Sequence, residues 1–187
     1  MILSTELPLY ARLLGPAWEQ LPERLQRLHQ TFAPVPISGQ LEVRHGKTVA
    51  ARLLARLLRL PSEAESVHIT LMVEQRGEAQ QWIRQFGPVC IATTQQYGQD
   101  AFLLERFGIV EFGFDLKLEQ GQLVYHQRQV SLRLGCCALP LPKWIAPLVF
   151  ATEKSKGDAV EISVEIRLGK LGLLLAYGGK LWLNQTT

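Results

Sequence analysis

The sequence is poor in the groups that usually announce chemistry. Its 187 residues include only three cysteines, Cys90, Cys136 and Cys137. The number is odd, and neighbours in sequence are badly placed to bridge each other. A disulfide framework is therefore not expected, and a reducing, cytoplasmic setting is. Cys136-Cys137 lacks metal-ligand spacing and reads as a pair of small apolar residues in a strand. The four histidines, His29, His45, His68 and His126, show no zinc spacing either. There is no glycine-rich phosphate loop, no dinucleotide fingerprint and no strand-borne G-x-S-x-G elbow. No metal and no cofactor is expected, and no motif identifies a reaction. No apolar run approaches the ~20 residues of a membrane-spanning helix. The start, Met1 to Glu6, lacks a basic stretch followed by an apolar run, so no signal peptide is expected. A formal net charge of +3 is too small to argue for nucleic acid.

What the chain does have is hydrophobic periodicity. The hydrophobic fraction is 47% and the charged fraction 20%, ordinary for a globular protein, and the length fits one domain, 1–187. Residues 1–36 read as helical. Ser4 can cap a helix over 5–14, ended by Gly15-Pro16. A second helix is predicted from about Pro16 to Gln30, with Trp18, Leu21, Leu25 and Leu28 on one face and a kink or break at Pro22. His29, at its end, reads as a residue meeting the helix dipole. Ala33 to Pro36 is a linker. After a first strand, Gly39 to Gly46, the clearest helix of the chain runs from Lys47 to Leu60. Val49, Ala50, Leu53, Leu54, Leu57 and Leu58 form its apolar face, and Arg52, Arg56 and Arg59 a basic stripe. The local excess over residues 22–59 is +5, from Arg24, Arg27, Arg44, Lys47, Arg52, Arg56 and Arg59 against Glu23 and Glu42.

From Ser66 the period changes to two, the signature of strands. Alternating runs follow, separated by turns too short for parallel crossovers, so the neighbours must be antiparallel. Three prolines within Leu139 to Pro147 make an extended apolar loop that covers an edge or a barrel mouth. Gly178-Gly179 marks a bend or a close backbone approach. The class is α+β: N-terminal helices, then a strongly curved, mostly antiparallel sheet of about ten strands over 37–187. Twist and the liability of open edges favour a half-barrel or a closed barrel, with the long helix packed on it or capping it.

One strand stands out. In Trp82-Ile83-Arg84-Gln85-Phe86-Gly87, alternation puts Arg84 on the same face as Trp82 and Phe86. An arginine carried into a core needs a partner or a wet pocket. Glu105 shares a face with Leu103 and Phe107 on a strand two places away, about 10 Å at ~4.8 Å per strand. The pair is either a structural ion pair or a polar anchor at the base of an apolar pocket. His126, placed with Val124, Val130 and Leu132, is a third candidate. Phe112, Phe114 and Tyr177 complete the candidate lining.

The chain also resembles the domain-of-unknown-function 4166 family. The resemblance rests on Tyr10 to Leu14 with Trp18; Gly39 to Gly46 followed by the Ala51–Leu60 helix and Pro61; and Trp82-x-Arg84-x-Phe86-Gly87. It continues through Glu105-Arg106-Phe107-Gly108, Leu134-Gly135, Leu139-Pro140-x-Pro142, Pro147, Glu153 and Tyr177-x-Gly179-x-Leu181. What it implies is a bacterial domain that occurs alone or fused behind a Rossmann-type, saccharopine-dehydrogenase-like or epimerase-like module. It carries over no catalytic residue.

Three functions remain open. The first is a non-catalytic domain that binds an apolar or amphipathic, lipid-like small molecule inside the curved sheet. Trp82, Phe86, Phe107 and Tyr177 would line the site, and Arg84, Glu105 and His126 would supply its polar contacts. The second is an isomerase, lyase or hydrolase acting on a small hydrophobic substrate through Arg84, Glu105 and His126. The third is an accessory module that docks a reductase or a membrane surface through the Arg52, Arg56 and Arg59 stripe and the proline loop.

Overall fold

The computed structural model of the chain describes residues 7–30, 37–135 and 137–183. The Ser4 cap, the Ala33–Pro36 linker and Cys136 lie outside the described residues.

Among the described residues, eleven strands follow the N-terminal helices. They are β1 (Ile37–His45), β2 (Ala64–Arg76), β3 (Ala79–Phe86), β4 (Val89–Tyr97), β5 (Leu103–Phe107), β6 (Val110–Glu119), β7 (Gln122–Leu134), β8 (Cys137–Pro140), β9 (Pro147–Lys156), β10 (Ala159–Leu168) and β11 (Gly172–Trp182). Every pairing is antiparallel. The strands follow one another around the sheet, β1 pairs with β11, and β6 pairs with β7. The sheet therefore closes into a ten-stranded up-and-down barrel. Closure removes the exposed edges that so long a sheet would otherwise carry. β8 is the one strand outside the ring, lying along the outer part of β7. Part of the proline-rich stretch is thus a short edge strand that ends at Pro140, where the missing N–H costs nothing.

Two places show why the register is fixed. At Gly179 a Cβ would sit 2.3 Å from the carbonyl oxygen of Gln40, so the β1–β11 seam closes only with glycine there. Between Gly113 and Phe114 the β6–β7 register shifts by one residue. That bulge flips the inward face of β7: Val130 is buried above it, and Leu123 and Tyr125 below it.

The two barrel ends differ. At one end α1 (Leu9–Leu14), a 3₁₀ segment (Gly15–Gln20) and α2 (Glu23–Gln30) form a plug. Pro22 breaks the helical stretch at the expected place. Tyr10, Trp18, Leu21, Leu25 and Leu28 of the plug belong to the same core as Leu41, Ile69, Trp82, Leu123 and Val160 of the wall. The other end carries the β3–β4 turn, the β5–β6 turn, the β10–β11 turn and the long β1–β2 connection. We call it the mouth.

That connection holds α3 (Val49–Leu57), whose N-terminus is capped by Thr48 accepting from the Ala51 N–H at 3.2 Å. Its packing departs from the expectation. The helix docks on β1 and β11 through its smallest residues, Ala51 and Ala55, which are buried. Leu174 and Ala176 of β11 are buried too, and none of these four belongs to the main core. α3 therefore lies on the outer wall near the mouth. The larger apolar face points away from the protein: Val49 is 83%, Leu53 67% and Leu57 77% exposed. The apolar period was correctly legible, but the alanine face won because a close approach to the wall leaves no room for leucine. Gly46 is the latch of this contact, since a Cβ there would lie 1.8 Å from the Leu173 carbonyl oxygen and 3.0 Å from the Ala51 Cβ. Gly46→Ala should lower stability by about 3 kcal/mol, through steric overlap that backbone cannot relieve cheaply. The expected readout is a Tm lower by roughly 6–12 °C, with faster proteolytic cleavage inside α3.

Candidate functional site

Alternation decides which side chains face the barrel interior, and a ring of ten strands is wider than those side chains fill. An interior cavity of about 140 Å³ remains. Its upper wall, toward the mouth, is apolar, with Ile91, Phe107, Phe112, Val164 and Ile166 beside Leu60 from the end of the α3 connection. Its floor is polar and rests on the plug, where Leu28 closes it.

The first floor group is the predicted pair. Arg84 on β3 and Glu105 on β5 both face inward, with side chains 15% and 16% exposed. The Arg84 Nη2 lies 3.5 Å from the Glu105 Oε1. Thr93, on the intervening β4, accepts from the Arg84 Nη1 at 2.9 Å. Register explains this: Trp82 stands opposite Thr93, and Gln95 opposite Glu105. The guanidinium also lies over the Trp82 ring, 5.4 Å from its centroid. Burial opposes the Arg84 charge most strongly, but Tyr177, Glu105, Tyr10 and Tyr125 outweigh it and raise the pKa above its ordinary value.

The second floor group was not anticipated as a site. Glu153 of β9 accepts from the Tyr125 hydroxyl at 2.8 Å through Oε1, and pairs with the His29 Nε2 at 2.7 Å through Oε2. The Tyr125 and Tyr10 hydroxyls are 3.1 Å apart, and the Tyr10 hydroxyl donates to the Gln95 Oε1 at 2.9 Å. The result is a string of polar groups, Gln95–Tyr10–Tyr125–Glu153–His29, linking plug to wall. Each hydroxyl has one proton, so the Tyr10–Tyr125 contact is a hydrogen bond only when one of the two turns its proton away from Gln95 or Glu153. The His29 ring stacks on Tyr10 with centroids 3.6 Å apart and lies 5.4 Å from Trp82. Its Nδ1 is buried and has no hydrogen-bond partner among the described residues.

Electrostatics fix the protonation of this chain. For Glu153 burial is the largest influence and favours the neutral acid. The charge and hydrogen bond of His29, the Tyr125 hydrogen bond and Arg84 together overcome it and hold the carboxyl below its ordinary value. Burial, reinforced by Glu153, pushes the Tyr10 and Tyr125 phenols well above theirs. Tyr177 is raised as well, chiefly by burial, against the opposing pull of Arg84. The three phenols therefore stay protonated donors over an ordinary carboxylate.

Of the predicted residues, Trp82, Arg84, Glu105, Phe107 and Tyr177 line the cavity, as do Phe112 and Phe114. Phe86 does not line it. It is buried, with its ring edge-on to Tyr177 at 5.4 Å. His126 is a correction. It sits on the outer face, 44% exposed, paired with Glu119 at 2.7 Å. The bulge in β7 is the reason, because Val130 and His126 lie on opposite sides of it and do not share a face. His29 stands in the last turn of α2, as expected, and is in addition a buried partner of Glu153. The missed residues left a partial signal. Val149, Ala151 and Glu153 share a parity on β9, so a carboxylate is carried inward by an apolar alternation, as Arg84 is on β3. Among the described residues no group of three or more His, Cys, Asp or Glu could hold a metal ion.

Residues 21–181 match the family described as Domain of unknown function (DUF4166). The chain belongs to this family. No curated protein and no solved structure matches it. The DUF4166 match begins just before α2 and ends within β11, so it takes in His29, Arg84, Glu105, Tyr125 and Glu153, while Tyr10 precedes it.

Two outcomes test the floor. Because the folded state holds the Glu153 proton more weakly than the unfolded chain, its contribution is complete above the ordinary carboxylate range. It fades as pH falls through that range toward the lowered folded value. Glu153→Gln should cost about 3 kcal/mol at neutral pH and flatten the acid limb of the stability profile, measured by denaturant titration across pH. Arg84→Met should lower stability more than Arg84→Met/Glu105→Gln does, because the single change leaves a largely buried carboxylate without its countercharge. With Glu105→Gln as the second single change, losses that add in the double-mutant cycle would deny the coupling.

Proposed function

We propose that this β-barrel domain binds a small amphipathic molecule in its interior without transforming it. The ligand's apolar body lies along the upper wall, and an uncharged polar head rests on the floor. The observation that carries this reading is the division of the cavity itself, apolar toward the mouth and hydrogen-bonded at the base. Concave, mostly apolar sites with a few convergent polar groups are the usual form of a small-molecule site. The volume is comparable to the ~150 Å³ engineered apolar cavity that accommodates benzene. One ring or a short chain fits inside, and a longer body would extend past Leu60 and Phe107.

The charge balance argues for the uncharged head. The Arg84 guanidinium is committed to Glu105 and Thr93, and Glu153 is anionic. An incoming carboxylate or phosphate would find Arg84 and His29 already paired with Glu105 and Glu153. The same saturation speaks against catalysis. Both Glu153 oxygens already accept hydrogen bonds, and the nearby phenols are poor acids.

Calorimetric titration with medium-chain alcohols and the matching carboxylic acids tests both parts. The alcohols should bind at least about tenfold more tightly than the acids, equivalent to ~1.4 kcal/mol. Val164→Trp, which fills the upper cavity, should keep the fold and abolish alcohol binding. Binding that survives Val164→Trp would place the ligand elsewhere, and acids binding as well as alcohols would overturn the assigned head.

A further inference from the structure

The exposed face of α3 has no role in the barrel, and its composition is unusual for a face open to water. Val49, Leu53 and Leu57 follow one another at helical spacing directly opposite the buried Ala51 and Ala55. The face does not stand alone. The β11 wall under α3 leads back to the turn Gly169–Leu171, where a Cβ at Gly169 would lie 3.0 Å from the Trp144 carbonyl oxygen. Leu171, Trp144 and Ile145 are exposed there, Trp144 at 78%. An apolar ridge thus runs along one sector of the mouth, from α3 to the proline loop. A patch of this kind on a monomer marks an interaction site more often than an accident of composition.

Charge selects its occupant. Arg52, Arg56 and Arg59 flank the apolar strip on α3, and Lys143 and Lys170 flank it on the loops. None makes an ion pair among the described residues. From Lys47 to Leu60 there is no carboxylate. Two copies meeting through α3 would bring these arginines together, with Glu63 beyond the helix as the nearest carboxylate in sequence. The plugged end is different in kind, because its turn carboxylates Glu78, Asp100 and Glu119 are paired with Arg12, Arg128 and His126. The molecule therefore has one sector of unpaired cations beside apolar side chains, and an opposite end whose charges are paired.

We propose that α3 and the adjoining Trp144 loop dock this protein peripherally on an anionic lipid bilayer. Val49, Leu53, Leu57 and Trp144 enter the boundary between headgroups and acyl chains, and the arginines and lysines meet the lipid phosphates. This is the physics of interfacial amphipathic helices, with an aromatic residue at headgroup depth. Leu60 joins this sector to the cavity wall, so a bilayer there would border the mouth. The inference stands on the surface alone and does not depend on what the cavity holds.

The test is flotation of the full chain with phosphatidylcholine vesicles and with mixed phosphatidylcholine–phosphatidylserine vesicles. The protein should float only with the mixed vesicles, and less as salt is raised, because exposed charges are screened. Arg52→Gln/Arg56→Gln/Arg59→Gln should weaken vesicle binding by roughly 100-fold, at about fivefold per basic residue. Leu53→Glu/Leu57→Glu should abolish it. Both sets change exposed side chains, so an unchanged Tm confirms that the fold is intact. Trp144 fluorescence should shift to the blue on mixed vesicles, and Trp144→Phe should remove that shift. No flotation of the unaltered protein would overturn the proposal. So would flotation that both variants retain. If Leu53→Glu/Leu57→Glu instead splits a dimer in gel filtration while no vesicle binding exists, the ridge is a self-interface and the proposal fails.

Discussion

The contact on which this structure most depends is the one between a buried carboxylate and its two donors. Glu153 takes a hydrogen bond from Tyr125 of the wall and pairs with His29 of the plug. A ten-stranded barrel is too wide to fill from its own walls, so one end must be closed by something else. The N-terminal helices do that largely with Leu21, Leu25 and Leu28. They also bring the Tyr10 hydroxyl and the His29 Nε2, which are costly to bury without partners. Gln95, Tyr125 and Glu153 are those partners. The plug is thereby fixed at a definite depth, and apolar packing alone would not specify that depth so narrowly.

The polar floor follows from the same requirement. Once Tyr10 and Glu153 are inside, Arg84 and Glu105 lie in a region that is already hydrogen-bonded and charged, and burial there is tolerable. The remaining space, above the floor, is bounded by side chains with no polar obligations. The cavity is thus the volume left between a plug that is held down by hydrogen bonds and a mouth that the turns leave uncovered. Its two-part chemistry comes from how the barrel is closed.

Much of the architecture was legible because period-2 alternation and short turns are local signals. Ten antiparallel strands with short connections leave few arrangements other than closure. The Arg84–Glu105 pair was legible for the same reason, since each residue sits inside an apolar alternation. His126 was misplaced by a bulge, a one-residue register event with no strong local mark, and it flips every face beyond it. His29 and Glu153, 124 residues apart, meet only because the plug enters the barrel. Nothing in the spacing of either one records that.

The sequence by itself determined the strands, the break at Pro22, the inward arginine and the amphipathic period of α3. These depend on neighbours within a few residues, where sterics and alternation act directly. The tertiary structure decided what each face meets. It placed α3 on the wall by its alanines, because only a small face fits beside Gly46 and Leu173, and so left leucines in water. It also joined plug and wall through Tyr10, Tyr125, Glu153 and His29. Buried polar groups choose their partners by position in the closed fold, and that position exists only once the ring has closed.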